Sequence, residues 1–143
     1  MFADIEQRII GRLQERLGPD VFVASADTPD SAKELRQRAP AVWVVYEGHD
    51  IGADIPNVPG VQQLILIWSL VIQTRSAKGN GGALEARKQA SDLIVQIIES
   101  LLGMPVGAGR VLRLEPSEGS EYSAGFSLTR MRFSAAVTFR GKP

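Results

Sequence analysis

Val61-Gln62-Gln63-Leu64-Ile65-Leu66-Ile67-Trp68-Ser69-Leu70-Val71-Ile72-Gln73-Thr74-Arg75 reads as one long strand. Leu64, Leu66, Trp68, Leu70 and Ile72 share one parity; Ile65, Ile67, Ser69, Val71 and Gln73 share the other. Successive strand residues point to opposite faces, so both faces are mostly apolar through the middle. A strand of that length, apolar on both sides, is either the centre of a sheet or an element that extends beyond its own domain.

Two further strands read clearly around it. Ala41-Val42-Trp43-Val44-Val45-Tyr46 is nearly continuous in apolar and aromatic character, as a central strand should be. Glu47 to Gly60, with three glycines and two prolines, follows as a loop or an irregular hairpin connection. A last long strand spans about Phe126 to Phe139. Its apolar parity changes near Arg130, from Phe126 and Leu128 to Met131, Phe133, Ala135, Val137 and Phe139. A bulge at Thr129-Arg130 or a change of environment there accounts for that. Val21–Val23 and Val111–Leu114 are short strand candidates.

Helices fill the intervals. Asp4 caps a helix to about Leu17, with Ile5, Ile9, Ile10, Leu13 and Leu17 on one face and Gly18-Pro19 as the stop. A second helix runs from about Ala83 to Leu102, burying Ala86, Ala90, Leu93, Ile94, Ile97, Ile98 and Leu101. Thr28-Pro29 opens a short, thinly apolar helix over about Asp30–Arg38. The order predicts a single domain over residues 1–143. It is an α+β fold, with a mixed, mainly antiparallel sheet covered on one face by two amphipathic helices.

Composition removes whole classes of function. Sixteen basic residues balance sixteen acidic ones, so no global charge draws the chain to nucleic acid or an anionic membrane. With no cysteine there is no disulfide framework and no thiolate metal site. The start, Met1-Phe2-Ala3-Asp4-Ile5-Glu6, is not that of a signal peptide, and the apolar runs are too short for a bilayer helix. These features predict a soluble protein that begins in a cytoplasm.

The catalytic inventory is equally thin. Lys78-Gly79-Asn80-Gly81-Gly82 before a helix has the flavour of an anion cradle, but no Gly-Lys-Ser/Thr ends it. A mobile connection is the plainer reading. His49-Asp50 with Asp54 is too small a set for a metal, and His49 is the chain's one histidine. Nothing brings it to Ser31, Ser69 or Ser123 as a hydrolytic base. Glu115, Glu118 and Glu121 read as an acidic loop, facing Arg130, Arg132 and Arg140 on the other limb of a hairpin. That pairing suits a subunit boundary and equally suits scattered surface charge. No enzyme activity, no cofactor and no metal are expected. Long strands with unpaired edges point instead to partners, since such edges are normally suppressed.

The order of elements resembles the gp37-type proteins of Mu-like prophages, which are similar to phage tail terminator proteins. The features that carry the likeness are the helix Ile5–Leu17 ending in Gly18-Pro19, the segment Ala39-Pro40-Ala41-Val42-Trp43-Val44, the Leu64–Ile72 strand, the glycine-rich loop, the Leu84–Leu102 helix, and Tyr122-Ser123 with Phe126. The resemblance implies a homohexameric ring that caps the tail tube of a contractile tail. It ends tube and sheath polymerisation and joins the tail to the head connector at the virion neck, after assembly in the bacterial cytoplasm. The implied partners are other copies of the chain, the tail tube protein, the sheath protein and the connector, with DNA only as cargo through the ring and no membrane. Another head–tail joining or minor tail role, or a small adaptor domain unrelated to phage, are the alternatives. The expected subunit or tube interface comprises Trp68, Arg75, Lys78, Asn80, Glu118, Glu121, Arg130 and Arg132. The loop Glu47–Gly60 and the segment Gly103–Arg110 are candidates for docking tube or connector.

Overall fold

Val61–Arg75 is the middle of the sheet. In the computed structural model it is strand β3, hydrogen-bonded on both sides for most of its length. The structure describes residues 2–28, 39–54, 59–75, 83–107, 110–117, 120–123 and 126–142. The expected short helix over 30–38 and the loop 76–82 lie outside those residues.

The elements run α1 (Phe2–Leu17), β1 (Phe22–Ser25), β2 (Ala41–Asp54), β3 (Val61–Arg75), α2 (Ala83–Leu101), β4 (Pro105–Gly107), β5 (Arg110–Val111), β6 (Arg113–Glu115), β7 (Glu121–Ser123) and β8 (Phe126–Arg140). The main sheet has the order β1-β2-β3-β8-β6, with β7 also on β8, and β4 and β5 form a separate small pair. Among the described residues, β1 pairs in parallel with β2, and the other ladders are antiparallel. The sheet is therefore mixed and mainly antiparallel, with two helices among the described residues.

Sidedness follows from parity. Leu66, Trp68, Leu70 and Ile72 of β3 join Val42 and Val44 of β2 and Met131, Phe133 and Ala135 of β8 in one buried cluster. Ile5, Ile9 and Leu13 of α1 and Leu93, Ile97 and Leu101 of α2 close that cluster. Each helix alone has one apolar stripe and would not hold its shape in water; burial against the sheet supplies the missing stability. Arg12 Nε–H ties the two helices by donating 2.6 Å to the Ser100 carbonyl. The far face has its own smaller apolar cluster of Ala41, Trp43 and Val71, with Leu128 against it. Trp43 Nε1–H donates there to Gln73 Oε1 at 2.9 Å, which satisfies two buried polar groups at once.

Two expectations need correction, and two open alternatives are resolved. Asp4 lies in the first turn of α1, two residues past its start, where its charge complements the helix dipole rather than capping the end. After Tyr46 the irregular hairpin is the alternative that holds: strand continues as far as Asp54, antiparallel to β3. The long β3 gives it a template, and a register shift between Tyr46 and Gly48 absorbs the irregularity. Gly48 there has φ +95°, a conformation that side chains disfavour. No bulge interrupts β8: its register with β3 is unbroken from Arg75↔Phe126 to Val61↔Arg140. The parity change is one of environment. Ser127 and Thr129 continue the buried parity as polar residues, while Leu128 serves the far-face cluster. Finally, the strand expected over Val111–Leu114 splits at Leu112. That residue is buried, and its N–H and C=O bond Met104 and Gly103 instead of the sheet.

Candidate functional site: the far face of the sheet

Strand register builds a charged ladder on the side away from the helices. Residues opposite each other in a ladder point to the same face. Val45, Ser69 and Arg132 form one cross-strand row, and Glu115 of β6 extends it. The row beside it is Trp43, Val71 and Arg130. The extra residue at the β2 register shift is Glu47, and it reaches across β3 to both arginines. Glu47 Oε2 lies 3.3 Å from Arg132 Nε, and Oε1 lies 3.8 Å from Arg130 Nη2. Ser134 Oγ–H donates to Glu115 Oε1 at 2.6 Å. One carboxylate thus holds two guanidinium groups over a floor that includes the fully buried Ser69 and Val71.

Towards the β2–β3 turn the ladder opens into a shallow groove of about 340 Å³. Ile65 and Ile67 form its floor, and Asp50, Glu115, Arg132 and Ser134 stand around it. An apolar floor rimmed by charge is the anatomy of a protein contact. Ser134 and Glu115 form a hydroxyl–carboxylate pair on its rim, and no histidine lines the groove. His49 and Asp50 are consecutive on β2, so they point to opposite faces, towards Leu66 and Ile65 respectively. Among the described residues, no group of three or more His, Cys, Asp or Glu could hold a metal. None of the described helices is long and apolar enough to cross a membrane. Burial pushes up the titration of the Tyr46 hydroxyl.

The residues expected at an interface scatter. Arg130 and Arg132 lie together in the ladder, held by Glu47, an acid that the Glu47–Gly60 segment contributes. Glu121 is exposed on β7, paired through its backbone position with Leu128, so Glu115 and Glu121 sit on two short strands rather than one loop. Arg75 is exposed at the end of β3. Trp68 is wholly inside the core at 0% exposure, between Tyr46 and Phe133 in register, and offers no surface. Lys78, Asn80 and Glu118 lie outside the described residues. Reading the sequence missed the groove floor, because Ile65 and Ile67 look like core residues until the helices are placed on the other face. The unexplained second apolar parity of β3 was the available signal.

A family model described as Phage tail terminator protein matches residues 1–143. No curated protein matches the chain.

Proposed function

The chain belongs to the phage tail terminator family, and on that premise we propose that it closes into a ring that caps the tail tube. The full-length family match is the observation that carries this reading. The ring ends polymerisation of tube and sheath, and its outer surface receives the head connector. Its partners are further copies of itself, the tube protein, the sheath protein and the connector, and DNA passes through its centre as cargo. It works in the neck of the virion, as a gp37-type terminator of a contractile tail, and needs no chemistry.

The physical demand is two unlike surfaces that fit each other, because a ring is built from heterologous contacts that close. The charged ladder and its groove suit one such surface. Native mass spectrometry over a concentration series, alone and with purified tail tubes, tests the proposal. A closed species near six subunits, or one that forms on tubes, is the expected result. A protein that stays monomeric in both conditions refutes the ring.

A further inference from the structure

Strand β2 runs well past its parallel neighbour. β1 pairs with it from Ala41 to Val44, and among the described residues no strand pairs with that side of β2 from Val45 to Asp54. Hydrogen-bond phase shows what the uncovered edge offers. The Gly141 N–H donates to the Gly60 carbonyl in line with the β3–β8 register, so even-numbered β3 residues bond β8 and odd-numbered ones bond β2. Gly48 and Asp50 stand opposite Ile67 and Ile65 and therefore bond β3. His49 and Ile51, opposite Leu66 and Leu64, turn their N–H and C=O groups outward. The Ile51 side chain is 64% exposed, the most of any large apolar side chain among the described residues. It is the open end of a cross-strand row, Ile51–Leu64–Val137, whose other two members pack on the core.

A row of outward main-chain donors and acceptors is matched by another strand edge. The chain's other described edges do not supply that match. At β1 the Val23 carbonyl already accepts from Gln14 Nε2 at 3.2 Å. β6 and β7 are three residues long each. The outer edge of β8 near Thr138 has Arg110 of β5 beside it, bonded to the Thr138 hydroxyl. The β2 edge does match itself. Run antiparallel about a twofold axis at Ile51, it sets Ile51 against the same residue of a second copy as a hydrogen-bonded pair, and Asp50 against Gly52. A Cβ at Gly52 would lie 2.6 Å from Gln63 Oε1, so that position holds no side chain against the opposing Asp50. The apolar row then runs unbroken through both copies. An axis at Asp50 would oppose two carboxylates instead, which is destabilising across a ladder.

From this we infer that the β2 edges of two copies of the chain pair antiparallel about Ile51 and join their sheets into one. The occupant of the edge is a second copy of the same strand. The contact is isologous, so it stops at two copies. A ring closes through heterologous contacts, so this pairing belongs to the chain in free solution, before a tail takes it up. It covers the one long edge that the fold leaves open among the described residues. The inference goes beyond the ring reading and does not rest on it.

Cysteine placement tests it, because the chain has no cysteine of its own. Residues of a hydrogen-bonded pair lie about 5.5 Å apart at Cα, within disulfide reach. Oxidised Ile51→Cys should give a dimer on a non-reducing gel. Asp50→Cys, one residue away and also exposed, should stay monomeric, because its two copies are offset by about 7 Å along the strands. Equal crosslinking of both variants means random collision, and no dimer from Ile51→Cys means no pairing; either result overturns the inference. Ile51→Lys is the second arm, since so exposed a site tolerates the change. Its thermal melt should match wild type, while dimerisation in a sedimentation concentration series should weaken roughly tenfold or more, as two lysines then oppose each other. Unchanged dimerisation, or a wild-type chain that stays monomeric through the series, overturns the pairing. Ring formation on tail tubes is read separately by native mass spectrometry, so the pairing and the ring can each fail without the other.

Discussion

Phe133→Ala tests the sidedness on which every functional statement depends. Phe133 is fully buried on β8, opposite Trp68 in register and under the helices. Truncating a buried phenylalanine removes its transfer free energy and leaves a cavity, together about 3–5 kcal/mol. The neighbours Trp68, Leu66 and Met131 are held between the sheet and the helices and close the gap only in part, which favours the upper half of that range. A domain of this kind has only about 5–15 kcal/mol of net stability, so the loss is a large part of it. At roughly 3 °C per kcal/mol for this chain length, the melting temperature should fall by about 10–15 °C. The control is one residue away: Arg132→Ala, on the far face, should cost no more than about 1 kcal/mol. Urea denaturation followed by tryptophan fluorescence and circular dichroism measures both. If Phe133→Ala costs under about 1 kcal/mol, or Arg132→Ala costs more than it, the helices do not cover the face assigned to them.

Three other outcomes are expected. Tyr46→Phe should be neutral or stabilising by up to about 1 kcal/mol, because the buried hydroxyl has no protein partner to lose. Its raised titration also carries a sign. Below the unfolded value near 10 its contribution is fully present; as pH rises further the unfolded chain ionises first and stability falls. The alkaline limb of a stability–pH curve should therefore be shallower in Tyr46→Phe than in wild type, and identical limbs would exclude Tyr46 as a source. Glu47→Gln should cost about 1 kcal/mol by freeing two arginines, and the difference from wild type should shrink in high salt; a salt-independent loss would mean packing rather than charge. Gln73→Leu should cost about 1–3 kcal/mol, since Trp43 Nε1–H is left buried without its acceptor; retained stability in a chemical melt would show that another acceptor takes over.

Most of the fold was legible because apolar spacing is a local signal. The limits of β3 and the buried stripe of α2 follow from parity and from a helical period. Gly103, with φ +77°, ends α2. What stayed hidden was whatever a partner strand decides. Nothing in His49-Asp50-Ile51-Gly52 reads as strand; β3 makes it one by offering its ladder. Leu112 looks like a strand residue until Met104 takes its N–H. The ladder on the far face was half visible. Arg130 and Arg132 stand out in the sequence, but their partner Glu47 lies more than eighty residues away and depends on a register shift that spacing does not reveal.

The central place of β3 has a kinetic side. Its first neighbour, β2, is synthesised just before it and joined by a short connection, so that hairpin can close early. Its second neighbour, β8, begins about 50 residues later, after α2 and the small strands have been made. At roughly 5–20 residues per second, the most apolar strand of the chain waits about 3–10 s with one edge unpaired. Such an edge is an aggregation hazard, and non-local closure is slow. Yield of soluble protein should therefore respond to growth temperature and translation speed more than to the stability of the finished fold.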